Sequence, residues 1–257
     1  MHAIELWKIG GNELDDPEFM AGLATAVAQH KGQLVLVHGG GRAVTYVQAQ
    51  LGLQAQLVDG VRVTDEAALR AATMVLCGLT NKQLVAALLA ASVPAVGLSG
   101  VDGGLLRVAK ASHPTIDLGR VGQVQAVSTD VLRTLLGKGF VPVIAPISVG
   151  VDGELYNVNA DHAAGALAGA LGARAVHFIS NVAGVLDDGI IIKRLTAHEA
   201  RYLIRTGIIH GGMVPKVEAA LAALRAGVGA ARIVNLAGLK KGGTTLVAEP
   251  AGSEPHD

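Results

Sequence analysis

Leu34-Val35-Leu36-Val37 is apolar at four consecutive positions and stops at His38-Gly39-Gly40-Gly41. A strand apolar on both faces belongs inside a parallel sheet covered by helices, because a strand with one wet face alternates instead. Helix-forming sequence follows from about Arg42 to Leu51. The same order occurs earlier: Ile4 to Ile9 reads as a strand, Gly10-Gly11 ends it, and Asp16-Pro17 opens a helix through His30 with proline at its first position. Two such units predict an α/β fold with a mainly parallel sheet, and they set the two glycine clusters side by side at its carboxyl edge. Backbone amides on such a ledge bind anions, although either cluster alone would serve as a turn. They are not a dinucleotide fingerprint, since the third glycine of G-x-G-x-x-G falls at Val44, and no G-x-x-x-x-G-K-[ST] is present.

Further along, Leu57 to Thr64 reads as a hairpin turning at Asp59-Gly60, and two helices, Asp65 to Cys77 and Asn81 to Ala91, precede a strand at Ala95 to Leu98. Ser99 to Gly104 is loop, Leu105 to Ala109 and Val121 to Val127 form a second hairpin, and Ser128 to Gly137 reads as a capped helix. Phe140 to Ile147 is a buried strand, and Ala160 to Leu171 a helix of small residues. After Gly172 the pattern restarts with a strand at Ala175 to Ile179, a loop from Asn181 to Gly189 and a short strand at Ile190 to Ile192. Thr196-Ala197-His198-Glu199 is a capping-box start for a helix to about Arg205, Gly211-Gly212 precedes a helix from Met213 to Ala226, and Arg232 to Leu236 is the last expected strand. We place a lobe boundary near Gly172, giving lobes 1–172 and 173–257, and expect Ala248 to Asp257 to be disordered or loosely held.

At 257 residues and 51% hydrophobic content the chain can bury a sizeable core. Its 21 basic residues balance 21 acidic ones without long runs, which removes the electrostatic footprint of a nucleic-acid or membrane-surface binder and leaves a small molecule as the expected partner. The lone Cys77 excludes an intramolecular disulfide, and Met1 to Glu5 lacks the regions of a signal peptide, so the cytoplasm is the expected compartment. The most apolar run, Leu84 to Leu98, is broken by Ser92 and Pro94 and falls short of the roughly 18 to 20 residues that span a bilayer, so no transmembrane helix is expected. Nine histidines without ligand spacing and one cysteine predict no structural metal site.

Asn157-Val158-Asn159-Ala160-Asp161 places three short polar side chains at a strand-to-helix junction in apolar surroundings. An N-cap explains such residues as well as a ligand site does. Lys8 lies in a near-apolar strand two residues before the first glycine pair, and Lys216 follows Gly211-Gly212 at a helix start, so both ammonium groups can point toward a phosphate on the glycine ledge. Lysine is rarely buried without a partner, and Asp161 is the natural one for both. His38 is expected to orient its loop, Asp65 and Asp102 to serve as helix-start and turn residues, and Cys77 to pack as a small hydrophobe.

Taken together, Lys8-x-Gly10-Gly11, His38-Gly39-Gly40-Gly41, Gly60-Val61-Arg62-Val63-Thr64-Asp65, Asn81-Lys82, Gly97-Leu98-Ser99-Gly100-x-Asp102-Gly103, Asn157 to Asp161 and Gly211-Gly212-Met213-x-x-Lys216 resemble the N-acetylglutamate kinase branch of the amino acid kinase superfamily, over about residues 3 to 236. The resemblance implies an open three-layer α/β/α sandwich whose amino-terminal lobe takes N-acetyl-L-glutamate and whose carboxy-terminal lobe takes ATP, with Mg²⁺ bound through the ATP phosphates. It implies that Lys8 and Lys216 stabilise the transferring phosphoryl group, Asp161 orders them, the amides of Gly11, Gly40 and Gly41 bind phosphate or acyl substrate, and Gly10 with Gly11 meets the nucleotide. Arg62 then holds the substrate α-carboxylate and Asn157 fixes the substrate. The nucleotide meets Asn181, Val182, Ala183, Gly184, Val185 and Leu186 and the turn Ile208-Ile209-His210. Asn181 departs from the Asp common in relatives. An arginine-insensitive homodimer acting in arginine synthesis is expected; a carrier-protein-linked aminoadipate or glutamate kinase and a silent nucleotide-binding module are the alternatives.

Overall fold

The computed structural model describes residues 3–58 and 61–249. Its main sheet has eight strands in the order Arg194–Thr196, Thr244–Val247, Ala230–Val234, Ala175–Ile179, Ile4–Ile9, Gln33–His38, Val141–Ala145, Ala95–Ser99. Every pair is parallel except Ala230–Val234 with Thr244–Val247. The two glycine-ended strands are therefore neighbours, paired from Ile4 with Gln33 to Ile9 with His38, as their shared pattern predicts. Helices cover both faces and complete the three-layer α/β/α sandwich. Leu6, Val35 and Val37 pack with Ala164, Leu167 and Leu221 from helices Ala160–Leu171 and Met213–Arg225. On the other face Trp7, Ile9 and Leu36 meet Leu23 and Leu84 from helices Pro17–Ala28 and Asn81–Ala90. A smaller four-stranded sheet, Leu155–Asn157, Ile147–Gly150, Leu106–Lys110 and Gly122–Val127, stands beside the main one.

Several boundaries differ from expectation. The helices read as Asp65 to Cys77 and Asn81 to Ala91 are one helix, Glu66–Ala90, carried through Met74–Thr80 by a π-helical stretch. The wider turn brings Leu76 and Thr80 against Gly40 and turns Asn81 toward His38. By length and composition alone this 25-residue helix is apolar enough to cross a membrane, a longer apolar stretch than the Leu84 to Leu98 run. Its buried Leu69, Ala72, Val75, Leu76, Leu84 and Leu88 are those of a core helix. Phe140 to Ile147 is not one strand: it breaks at Pro146, which cannot donate to a ladder, and the chain changes sheets there. Asp130–Gly137 begins without the expected side-chain cap. Leu186–Asp187, inside the segment read as loop, pairs with Ile190–Ile191. The last described strand is Thr244–Val247, beyond the Arg232 to Leu236 segment expected to be the last. Glu249, in the segment expected to be loose, accepts a hydrogen bond from the His198 amide at 2.6 Å. The Asp59-Gly60 turn and residues 250–257 lie outside the described residues.

Candidate functional site

The glycine loops meet at the carboxyl edge of the two central strands. The Gly39 amide donates to Ile9 O at 3.0 Å and the Gly10 amide to Ile179 O at 2.9 Å. A Cβ on Gly11 would lie 2.2 Å from Gly40 N and 2.6 Å from Gly41 N, so the loops are in backbone contact. Crowding rather than an unusual dihedral demands glycine here, since neither Gly11 nor Gly40 has a positive φ. His38 anchors the second loop from inside the core. Its Nδ1 bonds Gly39 O at 2.9 Å, and Asn81 Nδ2 donates to its Nε2 at 3.1 Å and to Val143 O at 3.0 Å. That network assigns the neutral Nδ1–H tautomer, and complete burial pushes the imidazole down to about 4.

The cap and ligand readings of the Asn157–Asp161 cluster divide by residue. Asn159 is the cap: its Oδ1 accepts from the Asp161 amide at 2.8 Å and more weakly from the His162 amide. This frees the other two side chains. Asn157 Nδ2 donates to Thr64 Oγ1 at 3.2 Å, and Asp161 Oδ1 lies 2.8 Å from Lys8 Nζ, with side chains only 14% and 9% exposed. The approach lies off the hydrogen-bond direction, so this contact is an ion pair rather than an aligned hydrogen bond. Lys216, on the first turn of Met213–Arg225, makes no ion pair with Asp161 among the described residues. Burial and the neighbouring Lys8 lower its pKa, and Asp161 and Glu13 oppose that shift. Asp161 thus contacts one lysine and acts on the other through space.

Arg62 stretches along the helix Gly41–Gln50, donating to Gln48 Oε1 at 2.6 Å, Thr45 Oγ1 at 2.8 Å and Gly41 O at 3.1 Å. No carboxylate pairs with it among the described residues. Its half-buried charge, whose pKa desolvation lowers, is held rigidly and can take an incoming carboxylate.

These groups converge. Lys8, Asp161, Lys216, Arg62 and Asn157 line one cleft of about 340 Å³ together with Gly10, Gly11, Gly40 and Gly41. Val44, Leu57, Val61 and Leu76 form its apolar wall. Asn181 lines this cleft and also an adjoining cavity of about 400 Å³, walled by Val182 to Leu186, Ile208, Ile209 and His210. Each site residue read from the sequence therefore lines one of two contiguous spaces of small-molecule size. Sequence reasoning missed Asn12, Glu13 and Ser180, which also line the first. The signal for Glu13 was available: an acid three residues past Gly10, in a loop read as a phosphate ledge. Among the described residues no three acidic, histidine or cysteine side chains converge on a metal-sized site. Glu13 Oε2 and Ser180 Oγ are nevertheless buried without hydrogen-bond partners, and such hard oxygens suit a Mg²⁺ ion that arrives on phosphates.

The Amino acid kinase family model matches residues 5–235. A protein named acetylglutamate kinase from Roseiflexus sp. (strain RS-1) is 55% identical over 250 residues, 97% of this chain and 94% of that protein. One of the same name from Chloroflexus aggregans is 50% identical over 254 residues, 98% of this chain and all of that protein. Among solved structures, smu.665 from Streptococcus mutans UA159 superposes with a TM-score of 0.81 at 28% identity, over 96% of this chain and 99% of that one.

Proposed function

The chain belongs to the amino acid kinase family, and from that membership we propose that the two adjoining cavities are the acceptor and nucleotide halves of one phosphoryl-transfer site. The reaction is ATP-dependent phosphorylation of the side-chain carboxylate of N-acetyl-L-glutamate to its acyl phosphate, a step of arginine biosynthesis. Residues 1–172 form the acceptor lobe and 173–257 the nucleotide lobe. The observation that carries this division is the convergence of Lys8, Lys216 and both glycine loops on one cleft that shares Asn181 with a separate, more apolar cavity.

In this reading Arg62 binds the acceptor's α-carboxylate, Asn157 fixes the acceptor, and the Val44–Leu57–Val61–Leu76 wall takes its apolar part. The acceptor carboxylate is ionised near neutral pH, so no catalytic base is needed. Catalysis then consists of alignment and charge neutralisation on the phosphoryl oxygens. The amides of Gly11, Gly40 and Gly41 cradle those oxygens, the Gly10 amide being engaged by Ile179 O, and Lys8 and Lys216 balance their charge. Asp161 holds Lys8 at 2.8 Å and offsets the repulsion between the two lysines. Asn181 to Leu186 and Ile208 to His210 hold the nucleotide. Mg²⁺ arriving with ATP would supply further charge neutralisation at the phosphate oxygens.

The reading extends to a cytoplasmic homodimer. Along the outer face of Glu66–Ala90, Met74, Leu79 and Leu89 are exposed apolar side chains, with exposed Lys82 and Gln83 between them, a face fit to be covered by its counterpart in a second copy. The test of function is ATP turnover with N-acetyl-L-glutamate, trapping acyl phosphate with hydroxylamine, with L-glutamate and N-acetyl-aminoadipate alongside. Hydroxamate from acetylglutamate alone is expected. Preference for the aminoadipate compound, or nucleotide binding without turnover, refutes the assignment.

A further inference from the structure

Glu13 is out of place by charge. It lies in the loop between Ile4–Ile9 and Pro17–Ala28, and its carboxylate rests on the bare Cα of Gly10, where a Cβ would meet Oε2 at 2.2 Å. Oε2 is buried and receives no hydrogen bond. Two carboxylates line the cleft, and the other, Asp161, is engaged by Lys8. The charge of Glu13 reaches Lys216, but no ion pair joins them among the described residues. An unpaired carboxylate beside amides and lysines arranged for phosphate repels the very group the ledge collects, unless a cation stands between them. Monovalent balance is already assigned here, two lysines against Asp161 and the phosphates.

A divalent ion resolves both problems at once, because Mg²⁺ is held by one or two carboxylates together with phosphate oxygens and water. Ser180 Oγ, a second buried oxygen without a partner, lines the same cleft and offers the ion's water shell a further acceptor. We propose that Glu13 is the residue that receives the divalent cation of the nucleotide, directly or through one water, and so makes the cleft select metal-bound over metal-free nucleotide. Gly10 is part of the device, since any side chain there would displace the Glu13 carboxylate.

The proposal rests on the nucleotide reading given above, and its test does not use turnover. Mn²⁺ is titrated into the ADP-saturated protein, free Mn²⁺ is followed by electron paramagnetic resonance, and ADP binding is measured by calorimetry with and without metal. Glu13→Gln is expected to weaken Mn²⁺ binding to the protein–ADP complex by roughly tenfold or more, as lost outer-sphere partners do, while metal-free ADP binds as well as before or better. Equal Mn²⁺ affinities in wild type and variant overturn the proposal. So does an equal loss of ADP affinity with and without metal, which would mean the loop itself was disturbed. Wild-type protein that binds no ADP under either condition removes the nucleotide reading and the proposal together, an outcome distinct from the other two.

Discussion

Gly11→Ala isolates the contact between the two glycine loops. The added methyl would sit 2.2 Å from Gly40 N, 2.6 Å from Gly40 Cα and 2.6 Å from Gly41 N, all backbone atoms. None can rotate away. The Gly39 amide is tied to Ile9 O and Gly40 O to the Val44 amide, while Leu76 Cδ2 stands 2.6 Å from a Cβ position on Gly40. Restoring an ordinary contact of about 3.4 Å therefore requires the loops to part by roughly 1.2 Å, and overpacking of this kind costs about 1–3 kcal/mol. For a chain of this size that corresponds to roughly 2–12 °C in Tm. The functional cost is larger, because a misplacement of about 1 Å among positioning groups removes on the order of a hundredfold in rate. Gly137→Ala is the control: no heavy atom lies within 4 Å of its Cβ position, and its φ is not positive. Acyl phosphate formation and thermal unfolding, measured on both variants, decide the matter. Gly11→Ala with a rate within twofold of wild type and an unchanged Tm would refute the reasoning, since the loops would then not be in contact.

Lys216→Ala should lower kcat by two or more orders of magnitude while changing KM for either substrate only a few-fold, as expected of a group that acts on charge in the transition state; initial-rate kinetics would detect the opposite pattern. Asn81→Leu leaves His38 Nε2 and Val143 O without a donor in a fully buried site and should cost about 2–4 kcal/mol by urea unfolding; a cost below about 1 kcal/mol would show that the network does not hold the loop. His38 is neutral in the fold down to about 4, whereas the unfolded chain takes up the proton near 6.5. Its contribution is thus fully present above pH 6.5 and lost as pH falls toward 4, up to about 3 kcal/mol, so His38→Asn should have the shallower acid limb in urea midpoints between pH 8 and 4, and equal limbs would refute this.

Much of the site was legible because its residues break local patterns. Lys8 interrupts an apolar strand just before two glycines, and Asn157, Asn159 and Asp161 interrupt an apolar junction, so each anomaly sat beside a backbone signal that placed it at the sheet's carboxyl edge. Long-range and crowded features were less legible. Periodicity gives no sign of an extra residue in a helical turn, so Glu66–Ala90 read as two helices with Gly78-Leu79-Thr80 between them. Thr244–Val247 is stabilised by partners in Arg194–Thr196 and Ala230–Val234, earlier in the chain, and nothing local in Gly242-Gly243-Thr244-Thr245 announces them. Pairing of charges was also hidden, since Asp161 could be assigned to both lysines but not divided between them.

The opposite face of the same strand explains why an anomalous charge is not by itself a site. Glu5 is as buried as Lys8, yet its carboxylate is fully engaged: Arg174 and His177 pair with it and Trp7 Nε1 donates to it at 3.4 Å. The pairing with His177 and Arg174 holds its pKa far below the usual carboxylate range. Arg232 extends the cluster, bonding Leu239 O at 3.0 Å and Gly242 O at 2.5 Å, and so ties the loop after Ala230–Val234 onto the sheet. Satisfied in this way, the Glu5 carboxylate is part of a paired ionic cluster, and its removal would be felt first in stability. In the cleft, by contrast, Glu13 Oε2 and Ser180 Oγ have no donors and Arg62 no carboxylate among the described residues. Among the described residues, Glu13 Oε2, Asp161 Oδ1 and Ser180 Oγ are buried without a hydrogen-bond partner and share the cleft that the glycine loops predict, whereas His30 Nε2, Thr73 Oγ1 and Ser148 Oγ are scattered elsewhere, so it is the convergence of incomplete groups on one cavity that marks where a missing molecule makes contact.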